Sequence, residues 1–481
     1  MKRKFITNLV LLLSLNLVVK PFWIFGIDRT VQNVVGASEY GLFFALFNFS
    51  LLLNMALDFG LTNFNNREIS RHSQLLSRYF SRMFIMKLMM AIIYLIVSFS
   101  LALAVGYSGR QLWLLGFLVL NQFLASLILY LRSNISGLQL FRTDSFLSVT
   151  DRLLMIILCS FMLWGPLRAS FNIEWFVYAQ TIAYLGTALI AFLIVLGKAE
   201  FFKPKFDRAF LISIIKQSYP YALLVLLMSF YSRIDTVMLE RLLPDGTVQT
   251  GIYAQAFRLL DAATMVPFLF ASLLLPIFSR MIKTGDSVHA LLGLAFNLVF
   301  VISFALTLSC IVYREQIMDV LYLHHPLESS SVLALLMVSF LFISFTYIFG
   351  TLLTANGSLR HLNIISILGV VVNVVLNLIL IPKYKVVGAA VASLSTQALV
   401  AILQLLLVYR TFRIKVLNLR MVSFLAFFIG ALLLSFVFNN ILTSWILGMV
   451  ITIISIGILA LAVGFIKLKD LALIFKTTDI T

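Results

Sequence analysis

Charge is scarce in this chain. Asp, Glu, Lys and Arg make up 11% of its 481 residues, against about 25% in soluble domains. An ordinary soluble enzyme is excluded on that ground. Cysteine is nearly absent, and Cys159 and Cys310 both fall inside apolar runs. Two such thiols fit packing better than a disulfide framework or a metal site. The five histidines show no paired ligand spacing within an apolar run, and His324-His325 reads as a solvated loop pair. No glycine-rich phosphate loop occurs, so no ATPase is built into the chain. No Ser/His/Asp set stands out. The sequence therefore predicts no catalytic residue, no metal and no cofactor. Any transport must run on an ion gradient, on the membrane potential or on consumption of the product.

What is present is hydrophobicity: 62% of residues are apolar and mean hydropathy is +1.05. A bilayer core needs about 20 apolar residues per helix. Runs of that length lie at 5–27, 40–61, 84–105, 112–131, 145–165, 174–196, 215–238, 251–277, 288–312, 331–354, 361–381, 386–409, 421–438 and 444–466. The expected fold is an all-α polytopic membrane protein of about 14 transmembrane helices. The short loops between them leave no room for a separate soluble domain.

The net charge of +17 would point to nucleic acid in a soluble protein. Here the basic residues follow sidedness, and no nucleic acid is expected. Alternate loops hold Lys2, Arg3 and Lys4; Arg67, Arg71, Arg78, Arg82 and Lys87; Arg132 and Arg142; Lys198, Lys203, Lys205, Arg208 and Lys216; Arg280 and Lys283; Arg360; Arg410, Arg413, Lys415 and Arg420; and Lys467, Lys469 and Lys476. The opposite loops hold only Arg29, Arg110, Arg168, Arg241, Arg314, Lys383 and Lys385. Lys and Arg favour the cytoplasmic side, which predicts both termini in the cytoplasm. The same charge suits anionic lipid headgroups. The basic N-terminus followed by an apolar run resembles a signal peptide, but Phe22, Trp23 and Phe25 stand where a small-residue cleavage site belongs. It reads as a retained first helix.

The chain looks duplicated. Ile27-Asp28-Arg29-Thr30-Val31 closes the first run, and Ile234-Asp235-Thr236-Val237 closes the seventh. Tyr40 and Tyr253 then open the next runs, and that register pairs Phe44 with Phe257 and Asn48 with Asp261. Repeats of six spans return to their starting side, so they are parallel and related by an axis along the membrane normal, with substrate at their interface. The resulting division is a six-helix bundle at 1–196, a cytoplasmic linker at 197–214 with Pro204, a second six-helix bundle at 215–409, and two further helices with a tail at 410–481. Pro220 and Pro267 interrupt their spans as kinks or hinges.

Ionisable residues inside spans are costly and mark function. Lys20, Arg233 and Arg258 lie at similar depth, about two turns or less in from the outer ends of their spans. They are the candidate binding residues for a multiply charged anion. Arg grips phosphate bidentately and Lys acts as a point charge. Asp235 and Asp261 are the acids placed to couple or gate. The competing reading is internal pairing. Arg258 and Asp261 at i,i+3 suit it, whereas Arg233 and Asp235, two apart, do not face each other. Asp58 sits near the inner end of its span, and Asp151-Arg152 reads as an interfacial pair.

Three blocks in order now resemble a known family. The first is Thr30–Arg71, with Gly36-Ala37-Ser38-Glu39-Tyr40-Gly41-Leu42 and Asp58-Phe59-Gly60-Leu61. The second runs from Arg233-Ile234-Asp235-Thr236-Val237-Met238-Leu239 through Gly251-Ile252-Tyr253-Ala254-Gln255-Ala256-Phe257-Arg258-Leu259 to Leu275-Pro276-Ile277-Phe278-Ser279-Arg280. The third is Asn373, Asn377, Ile381-Pro382-Lys383-Tyr384 and Gly388-Ala389-Ala390-Val391-Ala392-Ser393. Together they resemble the Wzx-type polysaccharide flippases (O-antigen and capsule exporters), in the superfamily that also holds the MATE multidrug exporters and the lipid II flippases. That family often has Gly where Lys385 stands here. The resemblance implies two six-helix bundles facing each other in a V, plus two C-terminal helices. It implies alternating access and an undecaprenyl-diphosphate oligosaccharide as cargo, with membrane lipids, a polysaccharide polymerase and glycosyltransferases as partners in a bacterial inner membrane. A MATE-type small-molecule exporter and a lipid II flippase are the alternatives. Cationic drugs call for buried carboxylates, and here cations outnumber acids at mid-depth. A non-transporting scaffold would leave the buried ionic residues without purpose.

Overall fold

In a bilayer every backbone N–H and C=O must be satisfied within the segment, so long apolar runs become helices. The computed structural model describes residues 18–203, 208–413 and 421–465. Among them there is no strand. The helices are α1 (Val18–Leu52), α2 (Leu61–Arg71), α3 (Leu76–Ala104), α4 (Arg110–Gly137), α5 (Phe141–Trp164), α6 (Ile173–Leu196), α7 (Arg208–Leu242), α8 (Gly246–Thr284), α9 (His289–Val312), α10 (Arg314–Leu321), α11 (Pro326–Ala355), α12 (Leu359–Phe412), α13 (Met421–Ile441) and α14 (Trp445–Ala462). The expectations for residues 1–17, Pro204, Lys205, Lys415, Arg420 and the basic tail lie outside the described residues.

Two of these helices are hairpins. In α1 the break is Gly36, at φ 81°, ψ 169°, a conformation that costs only glycine little. The Tyr40 hydroxyl reaches Asp28 at 2.9 Å. On a straight helix those residues would stand about 18 Å apart, so the chain folds back at Gly36. In α12 the break is Lys385, at φ 50°, ψ −130°. A Cβ on Gly388 would touch the Leu380 carbonyl, which again requires a reversal. Among the described residues eleven helices are long and apolar enough to span a membrane, and Leu425–Ile441 is a shorter apolar helix. Counting each hairpin twice gives the fourteen predicted segments. The turn falls between the first two predicted runs, and α1 stays helical beyond Asp28 up to Gly36, past the predicted end at 27.

Packing divides the chain into Met1–Gly251 and Ile252–Thr481. In the first unit, one apolar cluster joins α2, α3, α4 and α6 around Phe80, Met83, Tyr130, Leu131 and Ala191. The short α2 docks along the inner ends of this cluster by Leu61, Asn65 and Ile69, and the Asn65 amide donates to Ser133 Oγ at 2.8 Å. The second arm of α1 lies close on the start of α8. Ser38 and Thr247 hydroxyls are 3.0 Å apart, and Gly41 and Gly251 leave space for the facing backbones, as small residues do between membrane helices. In the second unit, α13 and α14 pack on α9 through a phenylalanine cluster that includes Phe300, Phe304, Phe427 and Phe465. Phe427 and Phe465 stack at 5.3 Å, and the Asn297 amide donates to the Phe465 carbonyl at 3.1 Å.

Candidate functional site

The first unit holds a charged cluster at mid-span. Residues Phe22–Asp28 of α1 form a π-helical segment, a wider turn that often marks function. It presents Trp23, 8% exposed, against Phe176 of α6, with rings 5.9 Å apart and 7° from parallel. The Arg152 guanidinium of α5 lies over Trp23 at 5.4 Å and over Tyr184 at 6.0 Å. Lys20, one turn before Trp23, is partly buried and within electrostatic reach of Arg152, Asp151 and Arg132. Arg152 approaches Asp151 at 3.7 Å, and Arg132 is taken up by Asp144 at 2.8 Å.

Arg152 stands near the middle of α5, which runs from Phe141 to Trp164, and it pairs with the adjacent Asp151 as the sequence reading had it. Lys20 lies roughly four turns before the fold-back at Gly36.

Asp28 is 1% exposed. The Tyr40 hydroxyl donates to it, 2.9 Å from each carboxylate oxygen, and Gln32 Nε2 donates at 3.1 Å. The sequence marked Asp28 only as a repeat landmark; its burial makes it a candidate in its own right. Asp235, on α7, is 0% exposed. Arg233, on the same helix, donates from Nη1 to Asn48 Oδ1 at 2.9 Å. The partner is an amide on α1 that the sequence did not connect with it.

In the second unit, Arg258 Nη1 and Asp261 Oδ2 are 4.0 Å apart, with side chains 15% and 27% exposed. The i,i+3 pair is present but loose, at the outer limit of an ion pair.

Lys87 is a second correction. The sequence placed it with the cytoplasmic loop cations. It is 1% exposed within α3, and its ammonium donates to Leu57 O at 3.0 Å, Ser126 Oγ at 2.9 Å and Asp58 Oδ1 at 2.5 Å. Asp58 also accepts from the Thr62 backbone at 3.3 Å and from its hydroxyl, which ties it to the first turn of α2. The ammonium's three donors are matched by these three oxygens, which offsets much of the cost of burying the charge.

Towards the predicted outer side, Arg110 binds Glu39 through two nitrogens, at 2.9 and 2.6 Å, and Glu174 at 2.6 Å. The Gln111 amide bridges Glu240 at 3.2 Å and Arg241 at 3.1 Å. The Arg241 guanidinium covers the Tyr107 ring at 3.7 Å, and burial pushes the Tyr107 phenol well above its ordinary pKa, keeping it neutral.

Paired apolar helices with cations and carboxylates buried among them make a multi-pass membrane protein of a transporter fold. The solved lipid II flippase MurJ in an inward closed conformation superposes with TM-score 0.70 at 15% identity, over 93% of this chain and 98% of that one. An inward-facing MATE family multidrug resistance transporter gives 0.64 at 15% identity over 84% and 98%. A transporter of the same superfamily from Pyrococcus furiosus, whose binding pocket is described as reversed in polarity, gives 0.61 at 16% identity over 85% and 95%. An uncharacterized membrane protein of Methanocaldococcus jannaschii is 27% identical over 188 residues, which are 39% of this chain and 43% of that relative. The family model for polysaccharide biosynthesis proteins matches residues 8–282. The chain belongs to that family.

Proposed function

We propose that this protein is a flippase. It carries an undecaprenyl-diphosphate-linked oligosaccharide across a bacterial inner membrane by alternating access, for assembly of a surface polysaccharide. Family membership supports a cargo from polysaccharide synthesis. The observation that supports the anionic part of the reading is the Arg152 guanidinium placed over Trp23 at 5.4 Å, on the helix that also carries Lys20 one turn earlier. Cations in a low-dielectric slab are costly, and a diphosphate would offset them. Lys20, Arg233 and Arg258 bind the headgroup in this proposal, and Asp235 and Asp261 couple or gate the movement. Two six-helix repeats, at 1–196 and 215–409, rock about the site, and the helices of 410–481 stand outside the repeat. A polymerase and glycosyltransferases act on the cargo on either side of the step, and membrane lipids surround it.

A second reading is export of small cations in the MATE manner. The buried carboxylates of Asp28 and Asp235 favour it. A lipid II flippase differs from the first reading only in the glycan. Reconstitution decides among the three. Proteoliposomes loaded on one leaflet with an undecaprenyl-diphosphate oligosaccharide should expose its sugars to a lectin on the other side. Lipid II moved in preference selects the lipid II reading. Ethidium efflux without any lipid movement overturns the flippase.

A further inference from the structure

The residues that follow α6 carry an inference about the surrounding membrane, one that does not depend on the cargo. We infer that the segment Ala199–Lys203, strapped along the start of α3, forms with Arg78 a docking site for an anionic phospholipid of the adjoining leaflet. All of these residues belong to the first unit.

The strap is held by its backbone. The Glu200 N–H donates to Ser77 Oγ at 2.9 Å, and the Lys203 N–H donates to Ser81 Oγ at 3.0 Å. Ser77 and Ser81 stand about one turn apart on α3, and both are buried. Between the two bonds Phe202 turns inward, with its ring 4.8 Å from Phe80 and 5.7 Å from Phe192. Its neighbour Phe201 stays outside and is 45% exposed. Because backbone bonds and Phe202 make the attachment, no charged side chain of the strap is needed for it.

Depth and charge name the occupant. The span that contains α3, Ser73–Ala104, has 32 residues, or about 48 Å of helix. The hydrocarbon core is about 30 Å thick, so the first turns of α3 and the strap beside them stand at the headgroup layer. α6 ends at Leu196, three residues before the strap, which sets the same level from the other side. Arg78, next to Ser77, and Lys203 are exposed, as is Lys198 just before the strap; the acid among them is Glu200. An exposed aromatic ring beside lysine and arginine suits the boundary between acyl chain and anionic headgroup. The phosphate meets the cations and the start of the chain lies on Phe201. A zwitterionic headgroup brings its own cation and gains less. Sidedness alone accounts for Lys and Arg on this face. It does not account for an exposed Phe fixed among them by two backbone bonds.

The test is lipid binding to the full-length protein by native mass spectrometry, with phosphatidylglycerol and phosphatidylcholine as probes. The native protein should bind phosphatidylglycerol about fivefold or more tightly than phosphatidylcholine. Arg78→Gln with Lys203→Gln should reduce that preference to about twofold or less. Arg280→Gln with Lys283→Gln removes the same charge from the exposed end of α8 and should leave the preference intact. Phe201→Ser should weaken both lipids about threefold. If the α8 pair lowers the preference as much as the strap pair, the effect is ordinary surface charge and the inference falls. It falls also if Phe201→Ser changes neither affinity, because the chain is then not seated on the strap. All the substituted side chains are exposed, so the variants should keep the native thermal midpoint. No transport is measured, so failure here leaves the flippase reading where it stands.

Discussion

Tyr40 donates its hydroxyl to both carboxylate oxygens of Asp28, at 2.9 Å each, across the fold-back of α1. The bond ties the two arms of the first hairpin together inside the membrane. Tyr40→Phe removes that bond and leaves the one from Gln32 in place. A hydrogen bond to a charged group contributes about 1.5–3 kcal/mol. The thermal midpoint in detergent should fall by several degrees, and Asp28→Asn should cost less than Asp28→Leu because the amide can still accept. An unchanged midpoint for Tyr40→Phe would mean the bond contributes nothing to stability.

Lys87, 1% exposed, forms an ion pair with Asp58, 28% exposed, at 2.5 Å. Lys87→Met should destabilise by about 3–5 kcal/mol, because Asp58 is left uncompensated. Adding Asp58→Asn should recover part of that loss. Strict additivity in a double-mutant cycle would show that the two residues do not couple.

Lys385 takes φ 50°, ψ −130° at the tip of the α12 hairpin. A side chain held there stores about 1–3 kcal/mol of strain. Lys385→Gly should therefore raise the thermal midpoint, and the polysaccharide flippases that this chain resembles often carry Gly at that place. A lower midpoint would mean that Lys385's own interactions outweigh the strain.

Arg258 and Asp261 stand at 4.0 Å. If Arg258 binds cargo, Arg258→Ala abolishes transport without loss of membrane insertion, and Arg258→Lys retains part of it. The double change Arg258→Ala with Asp261→Ala should stay inactive. Restored glycan display in the double variant would show that Arg258 serves only to neutralise Asp261.

The basic residues of the sequence predict both termini in the cytoplasm. A cytoplasmic reporter fused after Thr481 should be active and a periplasmic one silent. The reverse result rejects the topology.

Most of the segment list was legible because membrane helices are written in length and hydropathy. The turn at Gly36 falls in the gap between the first two runs, but the first helix was ended too early, since Asp28 and Arg29 resemble a helix end. They are tolerated inside the hairpin because Tyr40 and Gln32 hold Asp28. Lys87 was misplaced for the same reason. Charge in a sequence reads as solvent, and only the oxygens of Leu57, Asp58 and Ser126 explain its burial.

The sequence by itself determined the all-helical membrane class, the number of segments and the candidate ions, because a bilayer imposes local rules on every stretch of chain. The tertiary structure decided which ions meet. Arg152 lies over Trp23, Arg233 reaches Asn48, and Lys87 closes on Asp58. Such partners lie many residues apart, and their pairing depends on which helix faces touch, a matter that hydropathy and spacing do not encode.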